Sequence, residues 1–260
     1  MEYQGTTALI TGASSGLGAA LTQRFAERGA NLILVARRKS ELEEFAQTLS
    51  LPVGINVALY EQDLSIAGAS ADLAARVAAD GLTVDTLINN AGVGTHGDFA
   101  TQDPAALSAE VQVDVTTVVE LTRAMLPQML DSGRGALVNI ASTSAYQPTP
   151  AMAVYGAAKA FVLSFTEAVA YETRRSSLKV LALSPGPMRT PFFDKLGTTR
   201  PGVGRWQTPE QVADFALHTL DRRCAPPSVI SGALNAVPIN AARFAPRRIV
   251  LALTGLTVGA

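Results

Sequence analysis

Eight consecutive residues, Thr11-Gly12-Ala13-Ser14-Ser15-Gly16-Leu17-Gly18, limit the folds open to this chain more than any other stretch. They follow the apolar run Ala8-Leu9-Ile10 and lead into Leu17 to Arg28, where apolar residues recur at helical spacing. A strand, a glycine turn and a helix, in that order, make a geometry that holds a pyrophosphate. Glycines let the backbone turn tightly and approach the phosphates, while the helix N-terminus supplies free N–H groups and a partial positive charge. Gly12, Gly16 and Gly18 are spaced Gly-x3-Gly-x-Gly, not the commoner Gly-x-Gly-x-x-Gly. Taken alone, the pattern also fits an ordinary glycine-rich turn.

The same rhythm runs down the chain. Apolar strand-like runs are Ala8 to Ile10, Leu32 to Val35, Val57 to Tyr60, Leu87-Ile88, Leu137 to Ile140 and Val180 to Leu183, with a C-terminal strand expected over Val229 to Pro238. Between them, Glu41 to Leu49, Ala69 to Ala79, Pro104 to Leu130 and Val154 to Arg175 carry helical periodicity. Strands alternating with helices predict a parallel sheet, and continuously apolar strands predict a sheet covered on both faces. The expectation is an α/β fold: a Rossmann-type doubly wound parallel sheet flanked by helices, as one domain over residues 1–260. Residues 187–208, rich in Pro, Gly, Thr and Arg, read as a substrate lid.

Composition removes several function classes. At 48% hydrophobic and 17% charged, the 260 residues are too apolar for disorder and ample for a core. A net charge of −1 offers no basic surface for nucleic acid. Cys224 is the one cysteine, so no internal disulfide forms, and a reducing, cytoplasmic location is expected. His96 and His218 show no metal-ligand spacing, and no metal site is expected. The opening MEYQGTT lacks the regions of a signal peptide. The tail, residues 240–260, turns apolar after Arg247-Arg248 but falls short of the roughly 20 residues that span a bilayer. It reads as a helix docked on a subunit or domain surface, with peripheral membrane contact as the alternative.

The second strand ends at Ala36-Arg37-Arg38. An acid there would bond the ribose of NAD, whereas arginine favours the 2′-phosphate of NADP. Two solvated surface charges would read the same way in isolation. Asp63-Leu64 follows the third strand and Asn89-Asn90-Ala91-Gly92 the fourth, both where loops line a cofactor crevice, though each is also good turn chemistry. The fifth strand runs into Ser142, and Tyr155 and Lys159 follow at i and i+4 on one helix face. An ammonium beside a phenol favours the phenolate, so a lowered Tyr155 pKa is expected, which suits proton donation and acceptance near neutrality. Ser142 suits holding a carbonyl oxygen.

With these motifs in order, the chain resembles the short-chain dehydrogenase/reductase family over nearly its whole length, in the compact subclass. The matching motifs are Thr11-Gly12-x3-Gly16-x-Gly18, Asn89-Asn90-Ala91-Gly92, Ser142 with Tyr155-x3-Lys159, and Pro185-Gly186 followed by Pro187-Met188-Arg189-Thr190. The resemblance implies Tyr155 as general acid or base, Lys159 bonding the nicotinamide ribose and tuning Tyr155, and Ser142 orienting the carbonyl. It implies cofactor contacts from Gly12, Ser14, Ser15, Gly16, Leu17 and Gly18, with Arg37 and Arg38 at the 2′-phosphate and Asp63 and Leu64 beside the adenine. Asn90 would pack near the cofactor ribose, Met188 and Thr190 would face the nicotinamide amide, and Ala91, Gly92, Pro185 and Gly186 would also bind the cofactor.

Two departures stand out. Asp114 occupies the place where many members carry an asparagine that holds a relay water, and its charge would partly oppose the pull of Lys159 on Tyr155. Val237-Pro238 and an apolar tail replace a common Asp-Gly-Gly turn, which puts the usual tetramer contact in doubt and leaves a dimer through the helices from Pro104 and Val154. Phe192-Phe193-Asp194-Lys195-Leu196, Trp206, Tyr146 and Pro148 to Met152 suit an apolar substrate body. The leading expectation is an NADP(H)-dependent oxidoreductase, with NAD(H) second, acting on a ketone or secondary alcohol as a homodimer or homotetramer. The alternative is a cofactor-binding, weakly catalytic member acting as a sensor or interaction module.

Overall fold

The computed structural model describes residues 3–196, 204–242 and 244–258. Seven strands form one sheet: β1 (Thr7–Thr11), β2 (Asn31–Ala36), β3 (Val57–Glu61), β4 (Thr86–Asn89), β5 (Ala136–Ile140), β6 (Lys179–Ser184) and β7 (Ser228–Ile230). The order is β3-β2-β1-β4-β5-β6-β7, and every pairing is parallel. The chain leaves β1 towards β2 and β3, then returns to β4 on the other side. The carboxyl ends of β1 and β4 therefore part, which is where such sheets bind ligands.

Period-two alternation explains why the strands read as unbroken apolar runs. Ala8 and Ile10 of β1, with Leu32 and Leu34 of β2, pack with Leu21 and Phe25 of α1 (Gly16–Glu27), Leu42 of α2 (Lys39–Thr48) and Leu217 of α8 (Pro209–Asp221). Leu9, Ile33 and Val35 join the opposite layer, with Leu73 of α3 (Ala69–Ala79), Leu121 and Met125 of α5 (Thr117–Ser132) and Val169 of α6 (Ala153–Glu172). Helix α6 is long and apolar enough to cross a membrane by length and composition, yet it packs beside β6 and carries Tyr155 and Lys159.

Two features differ from the sequence expectation, and a third adds to it. The helix expected from Pro104 to Leu130 is broken: α4 (Pro104–Val111) passes into a π turn, Gln112–Thr116, before α5 begins. A π turn accommodates one extra residue and re-aims its side chains, and Asp114 lies on it. The strand expected to Pro238 stops at Ile230. The backbone turns at Ser231-Gly232 and enters α9 (Ala233–Ala242), because Asn235 finds buried hydrogen-bond partners that a strand would not offer it. The segment read from sequence as a lid contains a short helix, α7 (Pro191–Leu196), and a parallel bridge from Met188 to Gln207. Residues 197–203 of the lid, the side chains of Asp194 and Lys195, and residues 243, 259 and 260 of the tail lie outside the described residues.

Helix α8 was not expected from sequence, although Thr208-Pro209-Glu210-Gln211 carries its signal. Thr208 and Gln211 form a reciprocal capping box, and Pro209 opens the helix. The tail forms α10 (Arg247–Val258), on which Ile249, Leu251, Leu253 and Leu256 are exposed.

Candidate active site

The turn after β1 is held from two sides. Ala13 N–H donates to Val35 O at 3.2 Å, tying the loop to the end of β2. Asn90 Nδ2 donates to Thr11 O at 2.9 Å and to Gly12 O at 3.2 Å, and the Thr11 hydroxyl oxygen accepts from the backbone of Asn90 and Ala91. Gly12 adopts φ +64°, where a side chain is strained, and a Cβ on Gly18 would lie 2.1 Å from Gly12 O. Only glycine at position 18 lets α1 start against the turn. Ser15, the residue that opens α1, makes no side-chain capping bond, so the first N–H groups of the helix are left to another acceptor.

Those N–H groups border a cleft of about 220 Å³. Its walls bring together Gly12, Ser15, Gly16, Leu17, Asn90, Ala91, Gly92, Ser142, Tyr155, Lys159, Pro185, Gly186, Met188 and Thr190. Ser14 and Gly18 are not on this wall; Gly18 packs against Gly12 O and Asn90. Arg37, Arg38, Asp63 and Leu64 are not on this wall. Arg37 is exposed just past β2, and its charge acts on Asp63 at the end of β3. Arg38 pairs with Glu41 at 2.5 Å on the first turn of α2. Asp63 accepts from the Ser65 backbone and hydroxyl, and the bonds to Ser65 together with Arg37 hold its carboxyl below the usual range against the upward push of burial. Leu64 is buried in the core.

At the far end of the cleft, α6 places Tyr155 and Lys159 one turn apart. Lys159 Nζ donates to Ile140 O at 3.2 Å and lies 3.0 Å from Asp114 Oδ2; it is 5.6 Å from the centre of the Tyr155 ring. Asp114 is fully buried, and its Oδ1 accepts from Val93 N–H at 2.9 Å. The carboxylate that sequence places near a relay water thus sits directly on the lysine.

This contact changes the electrostatics expected from sequence. Burial pushes the Tyr155 phenol up. Lys159 and a hydrogen bond from Ser142 pull it down, but Asp114 and Glu110 add to burial, and the net direction is upward. The expected lowering of Tyr155 by Lys159 is therefore corrected: Asp114 offsets the ammonium, so burial prevails. Lys159 itself is raised: burial works against its charge, and the Asp114 carboxylate outweighs it. Ser142 is buried at the end of β5, beside Tyr155, and its Oγ accepts from Ser144 N–H at 3.1 Å.

Sequence reasoning missed two residues. Glu110, one turn before Asp114, is fully buried, and its charge acts on Asp114, Tyr155 and Lys159. A second acid four positions before Asp114 on an apolar helix was the available signal. Asn235 of α9 is buried and bonds Ser231, Arg205 and Gln207, pinning the segment that follows the lid. No local pattern marks it.

Phe192 and Phe193 of α7 give the cleft an apolar wall. The Phe192 ring lies 5.5 Å from the Tyr155 ring, Phe193 packs edge-on to Phe192, and Trp206 packs on Phe193 at 5.1 Å. Met152 and Leu196 are buried beside them. Tyr146 instead turns its hydroxyl towards Ser184.

A family model described as short chain dehydrogenase matches residues 6–201. An uncharacterized oxidoreductase of Staphylococcus epidermidis is 31% identical over 213 residues, covering 82% of this chain and 90% of that protein. A short-chain dehydrogenase from Sphingobium yanoikuyae, solved in complex with NADPH, is 34% identical with a TM-score of 0.81, covering 91% of each chain. An alcohol dehydrogenase from Comamonas testosteroni, specific for bulky-bulky ketones, is 31% identical with a TM-score of 0.76, covering 92% of each.

Proposed function

The chain belongs to the short-chain dehydrogenase family, and from that premise we propose that it is an NADP(H)-dependent oxidoreductase of ketones or secondary alcohols with apolar bodies. One observation carries this reading: the uncapped start of α1 and the Tyr155–Lys159–Ser142 group face one cleft.

The residues present fit a dinucleotide. Glycine at positions 12 and 18 keeps the loop free of side chain, and the N–H groups of α1 suit phosphate. Arg37 and Arg38 stand past β2, where a 2′-phosphate would add charge for them to meet, and the Sphingobium relative was solved with NADPH. When bound, the cofactor supplies or accepts the hydride. The protein manages the proton. Ser142 orients the carbonyl oxygen, Tyr155 gives it a proton in reduction or takes one in oxidation, and Lys159 holds positive charge beside the phenol. A high phenol pKa suits the reduction direction, in which Tyr155 must be protonated. Phe192, Phe193 and Met152 exclude water and favour an apolar substrate; the Comamonas relative acts on bulky ketones.

The lone Cys224 supports a reducing, cytoplasmic setting. Val111 on α4 and Phe161 on α6 are exposed, which supports a homodimer through those helices. The exposed residues of α10 are a second such surface, for another subunit or a membrane. Sedimentation with and without lipid vesicles separates these, and a monomer that ignores vesicles removes both.

The direct contact of Asp114 with Lys159 favours a second reading, a cofactor-binding member with weak catalysis. Fluorescence titration with NADPH and NADH, then a ketone screen with a Tyr155→Phe control, decides. Tight NADPH binding with turnover lost in the control supports the oxidoreductase. Binding without turnover supports the second reading, and binding of neither cofactor removes both.

A further inference from the structure

We propose that the outward faces of α9 and α10 dock the protein on an anionic lipid surface. The pattern of burial is the first argument. On α10, Thr254 is fully buried, and its hydroxyl donates to Val250 O at 2.8 Å. Ile249, Ala252, Leu253 and Leu256, spaced i, i+3, i+4 and i+7, share the opposite face and are exposed, Leu256 at 76%. On α9, Asn235 and Ile239 are buried, while Leu234, Val237, Pro238 and Ala241 repeat that spacing on the exposed side. A surface helix of a globular protein normally turns its apolar stripe to the core. Both of these helices turn one outward, and Phe244 between them is 92% exposed. Exposed apolar stripes of this kind mark contact with a partner or a lipid surface.

Charge selects the occupant. Residues 233–260 carry Arg243, Arg247 and Arg248 and no aspartate or glutamate, although the whole chain has a net charge of −1. Arg247 and Arg248 open α10, are exposed, and enter no ion pair among the described residues. A helix N-terminus disfavours cations, because its free N–H groups already bear partial positive charge. The arginine pair therefore works against α10 itself and suits a negative partner. Arginines beside an apolar stripe reach lipid phosphates while the stripe enters the acyl boundary. A second copy on the same face, related by a two-fold axis, would bring two arginine sets together with no acid on α9 or α10 to offset them. With 12 residues, α10 is too short to cross a bilayer, so it lies in the interface plane.

Both helices are fixed to the body of the protein by their inner sides, so docking holds the whole molecule. Asn235 of α9 lies against Gly186 on the wall of the cleft, where a Cβ on Gly186 would collide with the Asn235 amide. A Cβ on Gly255 of α10 would lie 3.8 Å from Pro150 Cγ, close in the chain to Met152 on the same wall. The inference rests on the reading of the tail as a surface for another subunit or a membrane. It is independent of the oxidoreductase assignment, since lipid binding requires no turnover.

The test is co-sedimentation of the purified full-length protein with two kinds of vesicle, phosphatidylcholine alone and phosphatidylcholine with about one quarter phosphatidylserine. Binding to the mixed vesicles should be about tenfold tighter or more, and should weaken as salt rises. Arg247→Gln with Arg248→Gln should reduce it to the neutral level. Leu253→Gln with Leu256→Gln should weaken binding to the mixed vesicles by about tenfold or more, and both positions are exposed, so thermal unfolding should match the wild type. Binding to neither vesicle overturns the proposal, as does equal binding to both that ignores the arginines. Sedimentation velocity without lipid tests the other occupant. A dimer split by Leu253→Gln with Leu256→Gln would assign the face to a second copy and overturn lipid docking alone. An oligomeric state unchanged by that pair, together with binding to the mixed vesicles, supports lipid docking. An unchanged state that also ignores vesicles removes the tail as a docking surface of either kind, so the two failures are told apart.

Discussion

Lys159 Nζ lies 3.0 Å from Asp114 Oδ2, and both side chains are buried. The carboxylate stabilises the ammonium and, across it, opposes formation of the Tyr155 phenolate. The contact ties the π turn to α6, so the chemistry of the tyrosine is set by a residue on another helix.

Asp114→Asn removes that charge at nearly constant shape. The Tyr155 and Lys159 pKa values both fall, because the acid raises each of them. The pH profile of alcohol oxidation should move towards lower pH by about one unit or more. A profile that stays in place would show Asp114 to be electrostatically silent.

Tyr155→Phe deletes the proposed proton donor but keeps the ring that packs on Phe192 at 5.5 Å. We expect kcat to drop by roughly 100-fold or more with NADPH affinity little changed. Parallel loss of affinity, measured by fluorescence, would assign Tyr155 a packing role instead.

Arg37→Asp reverses the charge past β2. NADPH binding should weaken by about tenfold or more, while NADH binding holds or improves, since a charged hydrogen bond contributes about 1.5–3 kcal/mol. Equal weakening of both cofactors would mean that Arg37 does not read the phosphate.

Gly18→Ala brings a Cβ to 2.1 Å from Gly12 O. The backbone on both sides must shift, at a cost of about 3 kcal/mol of stability by analogy with overpacked cores, together with loss of cofactor affinity. Denaturant unfolding measures the first and fluorescence the second. A variant as stable as the wild type would show that α1 can slide.

Glu110 makes stability depend on pH. Burial raises its carboxyl in the folded chain, so between the unfolded value of about 4.3 and the higher folded value the native state binds more protons. Its contribution is present at low pH and is lost as pH rises through that window. The Tm of Glu110→Gln relative to wild type should therefore increase with pH. A constant difference would mean that the folded and unfolded carboxyls titrate alike.

The fold was readable because its signals are local. Ala8 to Ile10 and Leu32 to Val35 announce buried strands by composition, and Gly12 to Gly18 announce the turn by the conformations only glycine allows. Ser142, Tyr155 and Lys159 were readable by spacing, since one helix turn separates the last two. The end of β7 was misread because apolar residues near Val237 suit a strand and a helix equally. The choice was made by partners for Asn235 that lie near positions 205 and 207.

The sequence by itself determined the alternation of strands and helices as far as β6, the parallel sheet and the residue types that gather at its carboxyl ends, because periodicity and turn chemistry act over a few neighbouring residues. The tertiary structure alone decided that Asp114 meets Lys159, that Glu110 joins them and that the Tyr155 pKa rises. Those outcomes depend on burial and on distances between atoms of different elements, and electrostatics in a dry interior follows those distances rather than position along the chain.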